Sequence, residues 1–204
     1  MIITSFIICL LIFLVIGLYS LRYKKNTAED YLLAQRSLQP WLCGLSAVAT
    51  ANSGFMFTAW IGMTYTMGIS SIWFLLGLGS GITLGLFTSS RNIREVSAET
   101  QSYSYGGLIS QWQGKEMPIL RHILGWGILI FLSTYAAAQL TASSKAMYVL
   151  FNWDLNTGAV LGAVVILIYC FSGGFRASVW TDVAQSIVMM LAMLILLYVA
   201  VDEI

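Results

Sequence analysis

The chain has 204 residues, 58% of them hydrophobic and 9% charged, with a formal net charge of +1, and its mean hydropathy is +0.81. A soluble domain is about a quarter charged and needs a polar skin, which ten basic and nine acidic side chains cannot supply. Composition therefore excludes a soluble enzyme, a disordered chain and a nucleic-acid binder with its basic patch, and leaves an integral membrane protein.

The gaps between charges set the spans. Met1 to Leu21 is uncharged and is followed by Arg22, Lys24 and Lys25. That order reverses a cleaved signal peptide, so residues 1–23 read as a retained helix with its N-terminus outside. A short polar loop, Lys24–Gln39, follows. Ser37 to Ser90 is uncharged, and since one span needs about 20 residues this stretch holds two. They are a second helix over 40–66 and a third over 69–90, with a turn around Gly68.

Residues 91–121 form a polar loop with Glu95, Glu99, Lys115 and Glu116, in which Leu108–Gln113 reads as a short surface helix. A fourth helix covers 122–150. A fifth covers 155–175, with Asn156-Thr157 as its cap. After a Ser172-Gly173-Gly174 turn, a sixth covers 178–201. Pro40 and Pro118, the only prolines, fall at predicted helix starts, where a missing N–H costs nothing.

Lysine and arginine set the orientation. With the N-terminus outside, the cytoplasmic side holds Arg22, Lys24, Lys25, Arg36, Arg91, Arg94, Lys115, Arg121 and Arg176, and the outer side holds Lys145 alone. Both termini are then outside a cell membrane crossed several times. Trp41, Trp73, Trp153 and Trp180 fall near predicted span ends, as interface anchors do.

Few features carry chemistry. Cys9, Cys43 and Cys170 read as small buried hydrophobes, and His122 as an interface side chain. The second helix contains Leu45-Ser46-Ala47-Val48-Ala49-Thr50-Ala51-Asn52-Ser53-Gly54. This is a small, polar stretch for the middle of a span. One reading is close helix packing. The other is a broken helix whose freed carbonyls coordinate sodium, a hard cation that takes oxygen ligands. Gly77, Gly81 and Gly85 form a stripe that reads as a packing face. Tyr135 and Gln139, one turn apart, read as packing between helices. Asp182 is the one carboxylate at or inside a span. It is either a first-turn acid complementing the helix dipole or a cation-path residue, with Ser178, Thr181 and Gln185 as companions.

Three stretches make the chain resemble the sodium:solute symporter family, most closely its sodium/proline branch. They are Asp30-Tyr31-Leu32-Leu33-Ala34-Gln35-Arg36-Ser37-Leu38-Gln39-Pro40-Trp41; Leu45 to Gly54 with Gly68-Ile69-Ser70 and Trp73; and Gly173-Gly174-Phe175 through Trp180-Thr181-Asp182 to Gln185. The resemblance implies an all-α membrane fold of six transmembrane helices. An extra N-terminal helix is followed by the first five-helix half of an inverted-repeat transporter. It implies sodium as the coupled ion, bound by the backbone carbonyls of Ala49 and Asn52. It further implies Ser53 and Gly54 near the substrate, Arg36 in coupling, and Asp182 on the sodium path. Proline-type members carry an aspartate where this chain has Ala51.

The expected function is sodium-coupled symport of a small organic solute, an amino acid such as proline, by alternating access. No covalent chemistry is involved, so the protein is not an enzyme. The expected partners are the solute, sodium and the lipid bilayer. The chain reads as an incomplete N-terminal half, unable to transport alone, with a second chain or a longer product carrying the second repeat. The competing reading is a non-transporting sensor or assembly domain built from symporter helices.

Overall fold

The computed structural model describes residues 2–51, 54–111 and 114–202, and among them every regular element is helical. Among the described residues four helices are long and apolar enough to cross a membrane: Ile3–Tyr23, Ile61–Glu99, Pro118–Phe151 and Leu155–Asp202. The chain divides into two compact units, 1–54 with 140–204, and 55–139.

The first unit contains α1 (Ile2–Tyr19), extended by a 3-10 turn to Tyr23, then α2 (Ala28–Leu33) and α3 (Pro40–Ala51). α2 starts where the Asp30 N–H donates to the Thr27 hydroxyl at 3.2 Å, an ordinary N-cap. α3 starts at Pro40, as its sequence predicts. The unit also takes in the far end of a helix over Pro118–Phe151 and all of the helix over Leu155–Asp202.

The last of these is 48 residues long, more than twice the length one span needs. It is not straight. Gly174 has φ +59° and ψ −146°, a region reserved for glycine. Val165 and Gln185 would lie about 30 Å apart on a straight helix, yet both line one cavity of about 200 Å³. The helix therefore folds back on itself at Gly174, within the turn that the sequence places at 172–174. Its beginning differs from expectation: the cap is Asp154, whose Oδ2 accepts from the Asn156 N–H at 3.1 Å, and not Asn156-Thr157. A carboxylate one residue before the helix is a better acceptor for its first amides than a side chain already inside it.

α1 lies directly against this folded helix. A Cβ at Gly17 would sit 2.8 Å from the Tyr169 Cβ and 3.1 Å from the Thr181 methyl, so only glycine permits the approach. Beyond it, Trp180 packs against the rings of Tyr19 and Tyr23. Many buried residues of this unit are small or polar (Ser20, Asp30, Ala34, Ala177, Thr181, Ser186), with Met147, Val179 and Val183 among them, while Leu191, Leu194 and Leu197 are exposed. That is the pattern of helices that associate by close contact and hydrogen bonds while their large apolar side chains face outward.

The second unit starts with a π-helical segment, Phe55–Trp60, followed by α4 (Ile61–Met67), a 3-10 turn at Gly68–Ser70 and α5 (Ser71–Glu99). α5 continues past Ser90, where the sequence predicts a loop. No glycine or proline intervenes, and Arg91 pairs with Glu95 one turn on at 2.9 Å. α6 is Tyr105–Ser110, three residues ahead of the expected surface helix. Its start is fixed by the Ser104 hydroxyl, which accepts from the Gly107 N–H at 3.1 Å. α7 (Pro118–Phe151) begins at the second proline, and α8 (Leu155–Asp202) is the folded helix of the first unit. A Cβ added at Gly77, Gly81 or Gly85 meets no described atom within 4 Å, so the stripe expected to pack against a neighbouring helix has no such neighbour among the described residues.

Candidate functional site at the crossing of α3 and α8

α3 meets the second half of α8 through two hydrogen bonds one helical turn apart. The Ser46 hydroxyl donates to Asp182 Oδ2 at 2.6 Å. The Ser186 hydroxyl donates to the Leu45 carbonyl at 2.6 Å. Asp182 and Ser186 are four residues apart, so they share the face of α8 that looks at α3. Ser46 and Asp182 are half-buried and Ser186 is buried. Every donor and acceptor here is an oxygen, the chemistry suited to a hard monovalent cation. Among the described residues no three His, Cys, Asp or Glu side chains gather into a metal cluster.

The companions expected for Asp182 separate from it. Thr181 is fully buried, and its hydroxyl donates to the carbonyls of Ala177 and Ser178 at 3.0 and 2.8 Å. Gln185 lines the cavity shared with Phe6, Cys9 and Tyr169, on the α1 side of the helix. One residue of helical rotation, about 100°, turns Thr181 and Gln185 away from the face that carries Asp182 and Ser186.

Ala49 is half-buried in α3, one turn before Ser53, the residue whose N–H its carbonyl would take in a regular helix. Asn52 and Ser53 lie outside the described residues. The Thr50 hydroxyl donates back to the Ser46 carbonyl at 3.0 Å. Gly54 is half-buried. Past it the backbone becomes π-helical from Phe55 to Trp60, a register that occurs mostly as single turns and often at functional sites.

Arg36 stands apart from this crossing. It lies beyond α2, 3.8 Å from Glu29 Oε1, in a run of three left-handed residues, Ala34, Gln35 and Arg36, with φ between 48° and 56°. The same segment carries an arrangement that the sequence did not reveal. Arg176 Nη2 donates to Asp30 Oδ1 at 2.7 Å, and Asp30 Oδ2 accepts from the Lys25 N–H at 2.7 Å. Burial pushes the Asp30 carboxyl up, but the Lys25 N–H and the Arg176 guanidinium outweigh it and hold the group below its ordinary 3.8. The available signal was thin: Arg176 is the one cation of its turn, beside a Gly-Gly pair.

Residues 31–204 match the family model described as the sodium:solute symporter family. The chain belongs to that family. Sodium/proline symporters of Staphylococcus aureus strains JH9, JH1 and Mu3 are each 28% identical to this symporter-family chain over 193 residues. The match takes in 93% of this chain and 37% of each of those proteins. No solved structure matches it. Its relatives are transporters, not enzymes. The family match begins at Tyr31, so α1 and Asp30 precede it.

Proposed function

We propose that this chain forms part of a sodium-coupled symporter for a small organic solute, an amino acid such as proline, working by alternating access around a site at the midplane of a cell membrane. The observation that carries the reading is the Ser46–Asp182 hydrogen bond between α3 and α8, in a chain whose family couples solute to sodium. A carboxylate at or inside a span is costly, and such residues characteristically mark ion paths.

The chemistry follows from the oxygens. A serine hydroxyl both donates and accepts. In the structure the Ser46 hydroxyl donates a hydrogen bond to Asp182 Oδ2. When sodium arrives, the hydroxyl rotates, and its lone pair joins the carboxylate in facing the cation. The carbonyls of Ala49 and Asn52 supply neutral oxygens, with Ser53 and Gly54 against the solute. Each sodium carried inward gains about 2.3 kcal/mol per 100 mV, roughly 50-fold in solute accumulation.

In the proposed topology α8 crosses the membrane twice, folding back at Gly174, and α3 with the π-helical segment and α4 forms one broken span. This gives six spans, an N-terminal helix and a five-helix repeat, with both termini outside. The curated relatives are longer than this chain. The remaining sodium oxygens and the rest of the solute pocket are assigned to a second, inverted repeat.

The test is uptake of radiolabelled amino acids by cells producing the transporter that joins this chain to the second repeat, under inward sodium and inward potassium gradients of equal size. Accumulation driven by sodium and not by potassium is the expected result. Equal uptake under both gradients contradicts sodium coupling.

A further inference from the structure

The segment joining α1 to α3 grips the bend of α8. Gly174 interrupts the helical backbone conformation, and side chains from residues 24–31 bond to carbonyls just before it. The Tyr31 hydroxyl donates to the Cys170 carbonyl at 3.2 Å, and Lys24 Nζ donates to the Ser172 carbonyl at 3.0 Å. A Cβ at Gly174 would lie 2.5 Å from the Tyr31 carbonyl oxygen, so the segment lies against the bend itself.

Two residues past the bend, Arg176 donates to Asp30 and, at 3.3 Å, to the Ala34 carbonyl. The pair is nearly dry, with 13% of the arginine side chain and 4% of the aspartate exposed. The Ala34 carbonyl is presented by the run of three left-handed residues. Such a conformation costs a non-glycine residue about 1–2 kcal/mol, so the turn persists because its surroundings hold it. Arg176 lies six residues before Asp182 on one unbroken stretch of helix, about 9 Å along its axis. Whatever fixes Arg176 also fixes the rotation of the turn that carries Asp182.

We propose that the Asp30–Arg176 pair is a positioning device for the sodium path: it sets the rotation of the second half of α8 and thereby holds Asp182 opposite Ser46. Neither residue touches the ion. This inference rests on the sodium-symport reading above. It assigns a role in sodium affinity to a pair outside the α3–α8 crossing.

The experiment is a sodium titration of solute uptake by the transporter that joins this chain to the second repeat, in the unmutated protein, Asp30→Asn, Arg176→Gln and the conservative Arg176→Lys. The two charge-removing variants are expected to raise the sodium concentration for half-maximal uptake at least about fivefold, the low end of ordinary coupling between sites. Their solute KM at saturating sodium should stay within about twofold of the unmutated value. Arg176→Lys keeps the charge and one donor and should recover most of the loss. A merely structural clip would lower the amount of transporter without this split. Half-saturation within about twofold in both charge-removing variants overturns the proposal.

If those variants fail to reach the membrane, Asp30→Glu decides, because it keeps both charges but displaces the carboxylate from Arg176 Nη2 by one methylene. A raised sodium half-saturation supports the proposal and an unchanged one overturns it. Absence of sodium-dependent uptake from the unmutated protein defeats the symport reading instead, and is distinguished from a failed positioning role by that control.

Discussion

Ser46 and Asp182, 136 positions apart in sequence, share a 2.6 Å hydrogen bond across the contact of α3 and α8. Replacing Ser46 by alanine leaves the carboxylate in place without its partner and removes one cation-seeking oxygen. The expected outcome is a rise of about three- to tenfold in the sodium concentration for half-maximal uptake, read in the same titration used for the other variants. Asn52→Ala keeps its backbone carbonyl and should shift that concentration by less than about threefold. A larger effect of Asn52→Ala than of Ser46→Ala would move the sodium path away from the α3–α8 crossing.

The Asp30–Arg176 pair makes stability depend on pH in a defined direction. The folded-state pKa of Asp30 is depressed below 3.8. Its stabilisation is therefore fully present above 3.8 and is lost as the pH falls through the lower folded value. Asp30→Asn should cost about 3 kcal/mol at neutral pH, since it leaves a nearly buried guanidinium without its counter-charge. In thermal unfolding of detergent-solubilised protein, the Tm gap between the two proteins should be constant from about pH 7 to about pH 5 and close at more acid pH. A gap that widens on acidification would contradict this.

Gly174→Ala places a methyl group 2.5 Å from the Tyr31 carbonyl oxygen and forces φ +59° on a residue with a Cβ. Strain of this kind costs on the order of 1–3 kcal/mol before the clash is counted. Gly44→Ala, in α3, meets no described atom within 4 Å and should be neutral or stabilising by up to about 1 kcal/mol. The measurement is the Tm of both variants in detergent. Equal Tm values would mean that the bend does not depend on glycine.

The positive-inside reading is tested with cysteines at two exposed positions. Asn156→Cys, at the start of α8, should react with a membrane-impermeant maleimide in intact cells. Lys115→Cys should react only after permeabilisation. The reverse pattern would invert the topology.

Much of this architecture was legible because it is local. Proline can open α3 and α7 without losing a needed N–H, and two adjacent glycines marked the bend that Gly174 makes. The small, polar run of α3 and the isolated Asp182 stood out against Leu and Ile. What could not be read was tertiary. Nothing near Asp30 announces a partner 146 positions away, and nothing separates Ser46 from Thr50 until α8 is laid against α3. The same holds for Thr181 and Gln185, whose polarity suggested company for Asp182 and whose helical phase turns them away. The end of α5 was missed for a different reason. Charge marks where a helix leaves the hydrocarbon, not where it stops, and α5 runs on to Glu99 with the help of Arg91 and Glu95.

The central claim is that Asp182 lies on the path of the coupled ion. The most direct measurement is the sodium activation curve of solute uptake for the unmutated protein and for Asp182→Asn, at equal amounts of transporter in the membrane. Asparagine preserves size and one carbonyl oxygen but removes the charge. The account predicts that half-maximal activation moves to at least about tenfold higher sodium, equivalent to about 1.4 kcal/mol of lost ion affinity. Two superimposable curves would assign Asp182 to the packing of α8 against α3 and take the sodium path elsewhere.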